Sequence, residues 1–293
     1  MIKFYLTLLA EVIFFPFFFI AEELKKRFNL TPAKKYSVRT KANSNKLMIV
    51  IHDWAGYNLN RFKKFKNNKQ IECGLEYQIA RLDQYKGKKD VQQLVTISGA
   101  DKFNTGKYGN LKIHEVPDAG LDFSGYSYAV KNLSDENAYL LLMNTSVERS
   151  EVNFIDDYIS FMEDNPHVGL LGISYSTKVY QSLIRNNFAP HIQSFFLLST
   201  MAVFKQIESY AGSFPGEGIS YKRLLIREGE VKISQIVKKL GYALAIIDES
   251  GKPYIFPEKG SFSDTPYKKW TLPMGDYRYH VDTPNKINAI KYK

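Results

Sequence analysis

The sequence predicts an α/β fold: a mostly parallel sheet with helices on both faces. Three observations point to it. Short apolar runs of strand length alternate with amphipathic stretches of helical spacing from Leu47 to Ile247. One run, AYLLLMN (Ala138 to Asn144), is apolar up to its last residue, as a strand buried on both faces must be. A chain of 293 residues with 44% hydrophobic content can also bury one sizeable core, a domain of about 200 to 250 residues plus appendages.

The first thirty residues, MIKFYLTLLAEVIFFPFFFIAEELKKRFNL, differ from the rest in their density of Phe, Leu and Ile, followed by Lys25, Lys26 and Arg27. The predicted element is a hydrophobic, membrane-associating helix over residues 1–30. Phe4 to Ala21 approaches the length of about 20 apolar residues that a spanning helix needs. Glu11 and Pro16 interrupt it, and a charge inside a bilayer is costly. The alternatives are an anchor, spanning or lying in the interface with its basic flank on anionic headgroups, and an amphipathic helix on the domain's own core. No small-residue cleavage site follows, so a removed signal peptide is not expected.

Residues 31–46, polar, basic and containing Pro32, are predicted as a linker. The globular domain is placed at 47–250. It opens with a strand over LMIVIHD (Leu47 to Asp53), then a basic loop and a helix from Glu76 to Tyr85. VQQLVTISG (Val91 to Gly99) and LKIHEV (Leu111 to Val116) are the next strands. A helix from about Gly125 to Leu133, the strand from Ala138 and a helix from Glu151 to Asp164 follow. In that last helix Val152, Ile155, Ile159 and Met162 recur at helical spacing and Ser150 is the expected N-cap. HVGLLGIS (His167 to Ser174) and HIQSFFLLS (His191 to Ser199) are strands. After the loop SFPGEGIS, Ile233, Ile236, Val237 and Leu240 mark a helix, with Gly241 at the C-cap. ALAII closes the sheet. Residues 251–293, rich in Gly, Pro, Tyr and Lys, are expected to be an irregular extension.

Forty basic against thirty acidic residues give a formal charge of +10, which suits an anionic partner. No zinc-finger, helix-turn-helix or ribonucleoprotein signature is present and the basic residues lie mostly in loops, so no nucleic-acid partner is expected. The single cysteine, Cys73, excludes an internal disulfide and a Cys-based zinc site, and reads as a small buried hydrophobe. GADKFNTGK has six residues between its glycines and lacks the following Ser or Thr of a triphosphate-binding loop. GISYS fails the nucleophile-elbow pattern at its last position. The five histidines include no pair at i, i+4.

In open parallel sheets ligands bind beyond the carboxyl ends of the strands. The candidates are therefore His52 and Asp53, Ser98 and Asp101, Asp118 to Gly125, Asn144 to Ser146, and Ser174. Within PDAGLDFSGYSYAVKNL, Asp122 is flanked by Gly120, Ser124 and Gly125 just before a helix, where it serves either as a plain N-cap or as a ligand contact.

DAGLDFSGYSYAV, LLLMNTSV, NPHVGLLGIS, HIQSFFLLS and EGEVKISQIVKKLGY, in this order and spacing, resemble bacterial glycosyltransferases of the rhamnan synthesis protein F kind. These in turn are similar to the family 2 glycosyltransferases with the GT-A fold. The resemblance spans about Leu47 to Ile247. It implies a GT-A-like (Rossmann-like) domain, a nucleotide-sugar donor, and inverting transfer of a hexose to a glycan or lipid-linked acceptor. The setting it implies is bacterial surface polysaccharide (lipopolysaccharide, O-antigen or capsule); if the N-terminal segment spans, the Lys and Arg after it place the body of the protein at the cytoplasmic face of the inner membrane.

Carried over by matching positions, the resemblance gives Asp122, Asn144 and Ser146 to the donor and His191 and Gln193 to the acceptor, and the rim adds Asp53, Ser124 and Gly125 on the donor side. Glu230 is the general base, with Glu228 second. Thr145 stands where relatives carry an Asp of the metal-binding motif, and Asp118 where many carry Asn. The resemblance implies Mn or Mg, yet Asn144, Thr145 and Ser146 offer a divalent cation only neutral oxygens. Either the cation is held elsewhere, or Lys and Arg neutralise the diphosphate, or activity is lost. For that charge Arg223 and Arg227 are the candidates, with the segment Tyr277 to His280 as a lid over the site. The competing expectation is a catalytically silent GT-A domain that binds a sugar nucleotide or acts as a scaffold.

Overall fold

The computed structural model of the chain describes residues 1–28, 36–64, 70–150, 153–176, 191–256 and 285–291. Its centre is one eight-stranded sheet. In chain order the sheet strands are β1 (Asn43–Trp54), β4 (Asp90–Ser98), β5 (Ile113–Val116), β6 (Ala138–Asn144), β7 (Val168–Gly172), β10 (Phe196–Thr200), β11 (Ala243–Ile247) and β12 (Pro253–Ile255). Across the sheet they run β12, β11, β7, β10, β6, β1, β4, β5. Six point the same way, while β10 runs antiparallel between β6 and β7 and β12 antiparallel on the edge. The mostly parallel sheet expected from the alternation is therefore what the chain forms.

Alternation along each strand sends side chains to two separate cores. Leu47, Ile49 and Ile51 of β1, Tyr139, Leu141 and Met143 of β6, and Ala245 and Ile247 of β11 face one layer. That layer contains α2 (Leu75–Asp83), α4 (Ile155–Asp164) and the returning residues Ile287 and Ile290. Val50, Leu140, Leu142, Leu244 and Ile246 face the other, built on α3 (Asp122–Asn132), α5 (Met201–Ala211) and α7 (Lys232–Lys239). Gly241 takes φ +89° after α7, which only glycine adopts without strain, so the predicted cap is in place.

The structure departs from the sequence reading in several places. The basic stretch after β1 forms a hairpin of β2 (Asn60–Lys64) and β3 (Gln70–Gly74). The expected strand at 191–199 is two short ones: β9 (His191–Ile192) pairs with β8 (Tyr175–Ser176), and β10 begins after a turn. Helix α4 starts at Ile155 without a side-chain cap, so Ser150 does not cap it. α5 fills the stretch between the strand at 191–199 and the loop SFPGEGIS, to which the sequence assigned no element, and Thr200 Oγ1 starts it by accepting a hydrogen bond from the backbone N–H of Val203. β1 reaches back to Asn43, and the segment before it is fastened to the domain. Ser37 Oγ donates to the Leu240 carbonyl (2.8 Å) and Arg39 Nε to that of Val168 (2.6 Å). The expected lid around Tyr277 to His280 lies outside the described residues.

The N-terminal helix α1 (Ile2–Arg27) explains the misplaced charge in its sequence. Glu11 and Phe4 are buried, and Glu11 is ion-paired with the fully buried Arg227. Phe4 stacks edge-on with Tyr221 (5.8 Å), which precedes α6 (Lys222–Ile226). Arg227 is therefore committed to α1 and does not face the rim, contrary to the expectation that it stabilises a phosphate charge. Among the described residues no helix is long and apolar enough to cross a membrane.

Removing one member of a buried ion pair strands the other charge, whereas replacing both with apolar groups does not. Arg227→Met is expected to lower unfolding free energy by about 3 to 5 kcal/mol. The double variant Glu11→Leu/Arg227→Met should recover most of that loss in urea denaturation.

Candidate active site

At the carboxyl end of the sheet, four separate segments bring their polar side chains together. β6 is buried at every position and ends at Asn144. β1 lies beside it in parallel, pairing His52 with Asn144, and the backbone N–H of Thr145 donates to the His52 carbonyl (3.0 Å). On the other side β10 runs back from the same rim, and the N–H of Asn144 donates to the Phe195 carbonyl (3.3 Å). This antiparallel insertion carries Ser194 to the strand ends. The fourth segment is the π-turn Arg227–Val231 leading into α7, which holds Glu230.

Asn144 Nδ2 donates to Asp122 Oδ2 (2.6 Å), and Asn144 Oδ1 accepts from the backbone N–H of Ser146 (3.0 Å). Asp122 opens α3, but the N-cap position is Leu121 and no side-chain cap bond forms. Of the two roles open in the sequence, the helix-cap reading is thus not the one its carboxylate takes. Ser194 bridges onward: its Oγ lies 3.3 Å from Asp122 Oδ2 and 2.9 Å from Glu230 Oε1, which also accepts from the Ser194 N–H (3.1 Å). Asp122, Asn144, Ser194 and Glu230 are one connected network. His191 Nε2 stands 3.8 Å from Glu230 Oε2, inside the interior.

Burial pushes the Glu230 carboxyl up to about 7, with the Asp122 charge acting in the same direction and the two Ser194 hydrogen bonds opposing. Gly229 beside it has no room for a side chain, since a Cβ there would lie 2.6 Å from Cζ of Phe123. That contact ties the π-turn to the residue following Asp122. Glu228 forms a 3.9 Å ion pair with Lys232 along the helix.

A second cluster is cationic. Thr145 Oγ1 donates to Asp53 Oδ1 (2.5 Å) and Tyr108 OH to Asp53 Oδ2 (2.9 Å), so both oxygens of this buried carboxylate are engaged. Arg61 of the hairpin reaches in above them. Its Nη2 donates to Thr145 Oγ1 (3.2 Å) and Ser146 Oγ (3.3 Å), and its guanidinium lies over the Tyr57 ring at 3.9 Å. Arg61 Nη1 is buried and makes no hydrogen bond among the described residues, though Asp53 lies 3.9 Å away. Two residues on, Lys63 stands over the Phe195 ring (4.8 Å), and burial lowers its ammonium to about 8. Arg61 and Lys63 were missed in the sequence because the hairpin reads as a basic loop. Their spacing, which puts both on one face of a strand, is the signal that could have found them.

The remaining candidates are placed as follows. Gly125 is packed so closely under His52 and Thr96 that a Cβ would lie 2.4 Å from His52 Nδ1. His52 is a structural residue, its ring nitrogens paired with Thr96 Oγ1 (3.1 Å) and Ser98 Oγ (3.2 Å), and burial holds its imidazole below the usual range. Ser124 Oγ donates to the Ala119 carbonyl. Asp118 is paired with Lys102 at 2.5 Å. The Gln193 N–H donates to the Ser174 carbonyl (3.2 Å), and its side-chain oxygen is buried without a hydrogen bond among the described residues. Cys73 is buried, as read from the sequence.

The residues at the β6 tip do not fit a divalent cation. Asn144, Thr145 and Ser146 supply only neutral oxygens, and each oxygen of the neighbouring Asp53 carboxylate already accepts a hydroxyl hydrogen bond. Among the described residues no group of three His, Cys, Asp or Glu side chains is arranged to hold a metal ion. A separate cleft of about 610 Å³ opens at the amino ends of the strands, between Lys41, Asn137, Thr200 and Lys205, away from this network.

No protein-family model matches the chain, and no curated protein matches it. Solved structures with a similar arrangement include a mannosyltransferase from Pyrobaculum calidifontis in complex with GDP-Man and Mn2+. It is 10% identical with a TM-score of 0.42, covering 88% of this chain and 69% of that one. A 4-diphosphocytidyl-2C-methyl-D-erythritol synthase from Anaerococcus prevotii has 10% identity, a TM-score of 0.42 and coverage of 70% and 87%. A glucosyl-3-phosphoglycerate synthase from Mycobacterium tuberculosis in complex with UDP has 9% identity, a TM-score of 0.37 and coverage of 73% and 87%. Likeness at this level does not bear on activity, which must be read from the site itself.

A carboxyl raised from 4.5 to about 7 binds a proton in the folded protein that the unfolded chain has released. Its contribution to stability is present below about 4.5 and lost as pH rises through about 7. Glu230→Gln lacks this loss. Its stability relative to the parent should rise between pH 4.5 and pH 8 by up to about 3 kcal/mol, read by denaturation at the two pH values.

Proposed function

We propose that the chain is an inverting glycosyltransferase that moves a sugar from a nucleotide-diphosphate donor to a hydroxyl acceptor, with Glu230 as the general base. One observation carries this reading: a buried carboxyl, poised near neutral pH, is hydrogen-bonded through Ser194 to Asp122 and Asn144 at the carboxyl rim of a parallel sheet. A base is most effective when its pKa lies near the working pH. The resemblance noted in the sequence places the same residue in the same role, and a bacterial surface glycan as the product.

In this reaction the Glu230 carboxylate takes the proton of the acceptor hydroxyl. The freed oxygen attacks the anomeric carbon from the face opposite the diphosphate, and the bond from that carbon to the phosphate oxygen breaks. The nucleoside diphosphate leaves with the electron pair. Its growing negative charge needs fixed cations or donors. The buried Nη1 of Arg61, held in place by Tyr57, Thr145 and Ser146, and the half-buried Lys63 supply them from this chain. Asp122 and Asn144 orient the sugar end of the donor. Gln193, next to Ser194, lines the acceptor side, with His191 buried behind Glu230.

Glu230→Gln should abolish transfer while the fold and donor affinity survive, and in the parent kcat/KM should rise with pH through about 7 as the base ionises. Arg61→Ala should weaken the donor about 10- to 100-fold, the worth of one charge-assisted hydrogen bond. A thermal-shift panel of UDP-, GDP-, dTDP- and CMP-sugars, each with manganese and with EDTA, identifies the donor. Binding without turnover, and indifferent to Glu230→Gln in every assay of transfer, would favour a silent sugar-nucleotide-binding domain instead.

A further inference from the structure

From Ile2 to Ala21 the helix α1 is apolar nearly all round, a composition that ordinarily belongs to a helix covered on every side. Among the described residues the domain covers only one side of it. Phe4 and Glu11 face Tyr221 and Arg227, while Leu9, Ile13, Phe17 and Ile20 on the opposite side are each more than half exposed. Tyr5, Leu6, Val12, Phe14 and Leu24 extend the same surface. A contiguous apolar face of this length marks an interaction site.

We infer that α1 lies in the surface of an anionic lipid bilayer, with its outward face in the acyl boundary and its inward face fastened to the domain. Two features favour lipid over a second copy of the chain. Residues 1–41 contain eight Lys and Arg against three Glu, so about half of the protein's net charge of +10 belongs to this stretch of the sequence. Two copies meeting here would repel each other, whereas anionic headgroups attract each basic residue near the surface. The Glu11–Arg227 pair and the Phe4–Tyr221 contact hold the helix along the domain, so it lies on the membrane and does not thread through it. Pro16 suits that position, since it leaves one backbone carbonyl without its helical partner, which interfacial water can satisfy.

The attachment also fixes where the bilayer stands relative to the site. Arg227 begins the same π-turn that carries Glu230 three residues later. Lipid docking therefore sets the orientation of the base, which suits an acceptor hydroxyl presented at a membrane surface.

The test is flotation of the full chain with phosphatidylcholine vesicles and with vesicles containing phosphatidylglycerol. The parent should float with the anionic vesicles, less with the neutral ones, and should be released by high salt. Leu9→Ser/Ile13→Ser/Phe17→Ser, whose side chains point away from the domain, should keep the parent's unfolding midpoint and lose at least about tenfold in partition. Failure of the parent to float with either vesicle would overturn the inference. So would flotation of the triple variant equal to the parent's, or a lipid-free dimer of the parent that the triple variant dissolves without any change in flotation. Because the readout is lipid binding alone, its outcome is separate from whether the site transfers a sugar.

Discussion

The burial of β6 on both faces and both edges constrains everything at the rim. A strand with no exposed residue must hand its last polar groups to partners, because an unpaired buried amide or hydroxyl costs as much as a lost hydrogen bond or more. Asn144 meets Asp122, and Thr145 meets Asp53. Each partner comes from a different strand end, so satisfying β6 pulls β1 and the start of α3 into a fixed arrangement. The reversed strand β10 completes it by delivering Ser194 to the same place.

The site that results is divided by charge. On one side Glu230 and Asp122 share Ser194, and burial makes the shared network reluctant to hold two negative charges. On the other side Arg61 donates to the hydroxyls of Thr145 and Ser146, Lys63 lies over the Phe195 ring, and the Asp53 carboxylate accepts from two hydroxyls. A neutral tip where relatives are expected to carry a carboxylate is thus compensated by cations from the hairpin. In the transfer proposed above, these cations are what would meet the charge of the departing diphosphate.

The N-terminal helix shows how a buried charge can mislead when read without its partner. In the sequence Glu11 argues against a membrane element. In the fold it fastens the helix to the domain, because Arg227 is buried opposite it with Phe4 alongside. The outward surface stays as apolar as the composition suggests.

What the sequence by itself determined was the layered α/β architecture, most of the central strands, the cap at Gly241, and the polar rim from which Asp53, Asp122 and Asn144 emerge. These follow from local periodicity and from where apolar runs stop, which physics makes legible one segment at a time. Only the tertiary structure decided that β10 runs antiparallel, that Ser194 links Asp122 to Glu230, that Arg227 serves α1, and that Arg61 and Lys63 are the cations at the rim. Each of these depends on contacts between residues far apart in the chain, and the spacing of a single segment contains no record of which distant partner its polar groups will meet.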